Sequence, residues 1–260
     1  MIFRVLLFFA LTIVLLALAG PVATALHLSS PALAVGAITA AGTFLLTLAF
    51  VRWDGISLRN VGAAPGGQTV ARFLIGFAIG LLLVALHVSI EAIAGHVTWA
   101  RSQNVSGWGM ALSFLTYLLL ACREELAFRG YPLRRLNSAY GLWIAQSVVA
   151  IVFALEHVAG GATWTNAFLG SGVGSLLFGM AAIATDGLAV PIGLHAAWNF
   201  GDWMHGGKDS TGPFIQVIAD GFTKRAEIVA MVGYVIVMLG AAAAFLWWQL
   251  TRAKAIRPMQ

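Results

Sequence analysis

Seven residues of this 260-residue sequence sit inside apolar runs where their chemistry is out of place: Arg123, Glu124, Glu125, Glu156, His157, His195 and Asn199. A charge at the centre of a membrane helix costs about 2.5–3.5 kcal/mol on insertion scales, so each needs a partner or a task. One run closes with Arg123-Glu124-Glu125-Leu126-Ala127-Phe128-Arg129. On a helix Glu125 and Arg129 are four apart and adjacent, whereas Glu124 is turned about 100° away from Glu125. This spacing makes Glu125 and Arg129 a structural pair and leaves Glu124 free to face a wet cavity and accept a proton. The charges of Arg123, Glu124, Glu125 and Arg129 sum to zero, which lowers the cost of burying them. Two further runs carry Phe153-Ala-Leu-Glu156-His157 and His195-Ala-Ala-Trp-Asn199. His195 and Asn199 share one helix face. One free carboxylate, two imidazoles and a carboxamide, drawn from three helices, are the groups needed to activate water and stabilise an oxyanion. Taken singly, such a group is a helix–helix hydrogen bond, and Glu156 and Arg123 are read that way. The combination of Glu124, His157, His195 and Asn199 is what points to catalysis. Glu91 is read as snorkelling from near a segment end, and His27, His87, His96 and His205 as interfacial.

Positioning these groups falls to eight apolar segments, at about 2–20, 32–51, 70–94, 108–128, 140–159, 166–184, 188–204 and 228–250. Most have the length needed to span a bilayer. The chain is 60% hydrophobic and only 10% charged, against about 25% charged in soluble domains. One soluble core could not hide that much apolar surface. The expectation is an all-α, polytopic membrane helix bundle of about eight transmembrane helices. The net charge of +5 is assigned to positive-inside loops, and the absence of a clustered basic face argues against nucleic acid. With the N-terminus inside, ten basic residues fall at cytoplasmic ends (Arg4, Arg52, Arg59, Arg72, Arg129, Arg134, Arg135, Arg252, Lys254 and Arg257) against Arg101, Lys208, Lys224 and Arg225 outside. Both termini are therefore expected in the cytoplasm. Twelve Arg against three Lys, with abundant Ala and Gly, suggests a bacterium with a GC-rich genome, so the expected location of the bundle is a bacterial inner membrane. Arg4, the first apolar run, Pro21 and Ala23-Thr24-Ala25 also fit a cleaved signal peptide, the rival reading of segment one. Cys122, the single cysteine, allows no internal disulfide and is read as a packing residue.

The motifs EExxxR (Glu124, Glu125, Arg129), FxxxH (Phe153, His157) and HxxxN (His195, Asn199) resemble the CPBP family of intramembrane endopeptidases, also called the Abi family or CAAX proteases and bacteriocin-processing enzymes. The contexts EELAFRGYPLRRL and GLHAAWNF agree as well. The resemblance covers about residues 108–204, which it marks as the catalytic core helices of a single membrane domain over 1–260. It implies that Glu124 is the general base on water, that His157 holds and polarises that water, and that His195 and Asn199 donate to the oxyanion. Glu125 and Arg129 would be the structural pair. No cofactor is expected, with zinc as the alternative, and the expected partners are membrane lipid and a peptide or protein substrate, lipidated or not. Glu156 would serve either as partner to a basic group or as modulator of His157.

Three other readings stay open. Glu124, His157 and His195 could hold zinc with an open water position, although HExxH is absent. A scaffold or bacteriocin-immunity protein could use the same fold without catalysis. A proton-coupled transporter would also bury Glu and His, but no inverted repeat is visible. One geometric demand follows. Straight spans would put Glu124 and His157 at opposite faces of the membrane, so the helix carrying Glu124 must continue past Arg129, bending near Gly130-Tyr131-Pro132.

Overall fold

The computed structural model describes residues 1–27, 30–102, 105–209 and 211–256. Nine α-helices appear among these described residues: α1 Ile2–Ala25, α2 Pro31–Trp53, α3 Thr69–Ala94, α4 Gly107–Glu124, α5 Tyr131–Tyr140, α6 Leu142–Ala159, α7 Val173–Thr185, α8 Ala189–Met204 and α9 Thr223–Ile256. Two π-helical stretches, Glu125–Gly130 and Asn166–Gly172, run directly into α5 and α7. Strands β1 Val97–Arg101 and β2 Phe214–Ile218 pair antiparallel, Trp99 opposite Gln216. The chain is a multi-pass, all-α integral membrane bundle. Six helical segments are long and apolar enough to cross a membrane: α1, α2, α3, α6, Asn166–Thr185 and α9. The other two expected spans are α4, which ends in Arg123 and Glu124, and α8, which has only 16 residues. The helices that carry the polar groups are thus the least lipid-like.

Sequence chemistry explains the bend after α4. A proline that opens a helix, as Pro31 opens α2, removes no helical hydrogen bond. Pro132 instead follows helix and has no N–H to offer the carbonyl of Phe128, which its ring also crowds. The backbone relieves this by widening into the π-helical turn Glu125–Gly130 before α5 resumes with Pro132 in its first turn. Gly141, at φ +81°, then reverses the chain into α6. Glu124 stands 17 residues before Gly141 and His157 stands 16 after it, so the two arrive at the same height. The required continuation past Arg129 is present, and Phe128 and Phe153 meet edge to face at 4.8 Å across the hairpin.

The close approach of α3 and α8 sets the position of His195. A Cβ on Gly76 would come within 2.1 Å of the Val190 carbonyl, and one on Gly193 within 2.1 Å of the Phe73 carbonyl. Small residues bring the two backbones together, as in membrane helix pairs generally. On the other side of the molecule Val5, Phe8 and Phe9 of α1 join Phe50, Phe128 and Tyr131 in one core.

Basic residues gather at one end. Asp54, with no side-chain exposure, receives Arg4, the Tyr131 hydroxyl (2.9 Å) and Arg135 (2.7 Å). Burial raises the Asp54 carboxyl, but the hydrogen bonds from Arg4 and Tyr131 and the charge of Arg135 outweigh it and hold the group below the ordinary carboxylate value. Arg134 pairs with Asp186 at 3.1 Å, and Arg72 reaches the Thr185 carbonyl. Arg225 donates to Ala94 at the opposite end, beside the strand pair. Arg129 departs from the expected pattern, being fully buried rather than at a membrane face. Arg257 lies outside the described residues, as does the side chain of Lys254. The strand pair, absent from the sequence reading, caps the end where α3 and α8 stop.

Candidate active site

The bend and the α3–α8 contact bring the predicted groups together. His195, 4% exposed, donates Nδ1–H to Glu125 Oε1 at 2.7 Å. That bond turns Nε2 toward Glu124 Oε2, 3.5 Å away. The ring is held flat against Phe178, centroids 4.1 Å apart and planes 11° from parallel. Glu125 therefore does more than pair with Arg129. It also orients an imidazole, the geometry a carboxylate has behind the histidine of a Ser-His-Asp triad. Its partner Arg129 lies 3.4 Å from Oε1 and sits among three rings, Phe153 at 4.5 Å, Phe178 at 5.4 Å and Phe128 at 5.7 Å. Cation–π attraction replaces part of the lost hydration, which accounts for a guanidinium buried with no hydrogen bond, among the described residues, to any of its three nitrogens.

His157 is oriented in the same way. Its Nδ1–H donates to the Phe153 carbonyl at 2.9 Å, leaving Nε2 as the free nitrogen. Phe153 packs against both imidazoles, centroids 4.5 Å from His157 and 6.5 Å from His195. Glu124 lies within electrostatic reach of His195 and His157. Next to it, Arg123 grips Glu156 with two bonds of 2.6 and 2.7 Å, as expected of a helix–helix pair. Arg123 precedes Glu124 and Glu156 precedes His157, so this forked pair fixes the spacing of the two neighbours.

His157, His195 and Asn199 line one cavity of about 210 Å³, together with Phe153, Phe178, Trp198, Asp202, Lys208 and Tyr234. Glu124 does not line it but touches its wall through His195. The second π-helical stretch contributes Asn166, Gly170 and Ser171 to the same wall, and such stretches recur at functional sites. A larger cavity of about 600 Å³ lies at the basic end, between Arg59–Arg72 and Thr185–Ile192. It holds none of the predicted residues, so chemistry rather than volume selects the smaller one.

Sequence reading missed Asp202 and Tyr234. Asp202 follows Asn199 by three residues in an otherwise apolar helix, the signal that could have found it. Tyr234 bonds the Gly170 carbonyl at 2.8 Å and has no distinguishing motif. Glu91, His87 and His205 are corrected: all three are buried, at 3%, 6% and 8% exposure, and gather at one place rather than reaching for an interface.

Comparison with curated proteins gives no match. Among protein families, the model described as Rce1-like, type II CAAX prenyl endopeptidase, matches residues 106–201. That stretch runs from the start of α4 almost to the end of α8 and contains all three motifs. Over this segment, a little more than a third of the chain, the sequence is similar to the Rce1-like, type II CAAX prenyl endopeptidase family.

Proposed function

We propose that the protein is an intramembrane endopeptidase of the CAAX-protease kind, in which Glu124 activates water for attack on a peptide bond. The observation that carries this reading is the linked chain Glu125–His195–Glu124, closed by contacts of 2.7 and 3.5 Å and flanked by the free nitrogen of His157. Water held between Glu124 and His157 gives its proton to the Glu124 carboxylate as its oxygen bonds the carbonyl carbon. His195 and Asn199 face the oxyanion that develops. Collapse of the tetrahedral intermediate breaks the C–N bond, and the proton on Glu124 passes to the departing amine. Glu125 holds His195, Arg129 holds Glu125, and neither transfers a proton in the cycle. Glu156 leaves the five charged residues with one negative charge in excess, and the two imidazoles are the groups able to balance it.

The substrate class supported by the family is a peptide within or at the membrane, and we extend this to lipidated C-termini. The gathering of Arg4, Arg72, Arg134 and Arg135 supports an orientation with that end, and both termini, in the cytoplasm of a bacterial cell. Residues 1–260 act as one membrane unit around the 108–204 core.

The test compares new peptide termini in membranes holding wild type or Glu124→Gln at equal abundance. Termini made only by the wild type support the peptidase. Identical termini from two folded proteins, across host and lipidated test peptides, would leave the scaffold as the better reading.

A further inference from the structure

Beyond the peptidase site, we infer that His87, Glu91 and His205 form a structural site for one divalent transition metal, best suited to Zn2+. His87 and Glu91 are four apart on the inner face of α3, and His205 caps the C-terminus of α8. One donor atom from each of the three lies within 4.8 Å of the others. Two imidazoles and one carboxylate are a common zinc donor set.

The hydrogen bonds around the cluster favour a ligand. His87 donates Nε2–H to the Ala230 carbonyl of α9 at 2.9 Å, which leaves the lone pair on a buried Nδ1 with no partner. Glu91 Oε2 is buried without a hydrogen bond, 3.9 Å from His205 Nδ1. Among the described residues no Arg or Lys pairs with Glu91, whose nearest cations would be the two imidazoles, His87 at 4.0 Å and His205. Buried Glu125 and Glu156, by contrast, each have an arginine. A carboxylate this deep needs either a proton or a positive partner, and a divalent ion supplies the partner.

Asp202 stands beside the cluster, Oδ1 3.3 Å from His205 Nε2. A carboxylate behind a ligating histidine is the usual outer support of a zinc site. Zn2+ with Glu91 and Asp202 is neutral overall, the charge state a low-dielectric site favours. The Gln216 amide, 3.3 Å from His205 Nδ1, is the contact the metal replaces. Trp99 of β1 also holds the His205 carbonyl at 2.9 Å. The ion would therefore clasp α3, α8 and the strand pair at one point. Since α8 carries His195 ten residues earlier, the clasp fixes the height of the imidazole in the catalytic cavity without touching the reacting atoms.

The experiment uses the full chain in detergent, loaded with Zn2+, desalted and analysed for metal. The expected result is about one zinc per chain, a melting temperature that falls on chelation and recovers with zinc, and at least a tenfold loss of bound zinc in Glu91→Gln and His205→Ala. Glu124→Gln is expected to keep its zinc, which separates this site from the peptidase site. If either cluster variant fails to fold, the wild type is loaded with Co2+ instead, and the absorption bands of a four-coordinate site, two imidazoles and one carboxylate completed by a water, are the expected signal. Less than a tenth of an equivalent of zinc in the wild type, a featureless cobalt spectrum, or zinc lost with Glu124→Gln but kept with Glu91→Gln overturns the inference.

Discussion

Replacing Glu156 with Gln tests how the bundle holds Glu124 and His157 in register. The substitution keeps volume and removes one charge, so Arg123, 2% exposed, loses its forked partner. Breaking a buried ion pair by removing one member costs about 3–5 kcal/mol. Arg123 has one alternative, since its Nη1 is already 3.9 Å from Glu124 Oε1. If the guanidinium closes that gap to about 2.8 Å, the attraction at an effective dielectric of about 20 deepens from about 4.3 to about 5.9 kcal/mol. The carboxylate is then about 1.6 kcal/mol less ready to take a proton from water, a rate loss of about 15-fold. Glu156→Gln should thus be both less stable and slower. The double substitution Arg123→Met with Glu156→Met removes the pair altogether, leaving no orphan charge and no cation to capture Glu124. It should recover most of the stability and part of the rate. Equilibrium unfolding in mixed micelles gives the first quantity, and the yield of wild-type-specific peptide termini per folded protein gives the second. A Glu156→Gln protein as stable and as fast as the wild type would refute the reasoning. So would a double variant whose stability loss equals the sum of the two single losses, since pairs in contact should couple.

Three further outcomes follow from the same structure. Glu125→Gln should leave Arg129 buried without its charge partner and lower stability by about 3–5 kcal/mol, while the loosened His195 lowers turnover at unchanged substrate affinity, read from kcat and KM separately. Gly193→Ala places a methyl within 2.1 Å of the Phe73 carbonyl, so α3 and α8 must separate. Backbone clashes exceed the usual cost of overpacking, about 1–3 kcal/mol, and the yield of folded protein after detergent extraction should fall several-fold. Asp54 has a folded carboxyl held below its ordinary value of 3.8, so its contribution is present in full above that value and is lost as pH falls beneath it. Asp54→Asn should lower the melting temperature at pH 7 and flatten its decline in acid, measured from pH 6 to pH 2.

Much of this architecture is legible in the sequence because lipid leaves few options for a backbone. Apolar run length places the helices within a few residues, and four-residue spacing pairs Glu125 with Arg129 and His195 with Asn199. The need for Glu124 and His157 to meet is enough to demand a bend near Pro132. The π-helical form of that bend is not legible, because it depends on how the freed Phe128 carbonyl is accommodated in three dimensions. Nor is the bond from His195 to Glu125, since spacing along one helix says nothing about the neighbour across a cavity. Glu91 and His205 mislead for a related reason. A residue near a segment end looks interfacial in one dimension, but the strand pair folds over that end and buries it. The strand pair itself has a faint signature in the β-branched and aromatic stretches Val97-Thr98-Trp99 and Phe214–Ile218, overshadowed by the helices around them.

The aromatic contact between Phe8 and Tyr131, centroids 5.2 Å apart, has a consequence for biogenesis. These residues are separated by 123 positions. At about 5–20 residues per second of synthesis, Phe8, which meets Phe50 of α2 early, waits roughly 6–25 seconds for Tyr131 to emerge. During that interval Arg4 and Asp54 can pair, but neither Tyr131 nor Arg135 exists to complete the cluster. The nascent bundle must be sheltered by the insertion machinery or by lipid until its second half arrives. Destabilising changes at this contact would then act twice, lowering the amount of newly made chain delivered to the membrane as well as the stability of the mature bundle, in which both rings are fully buried.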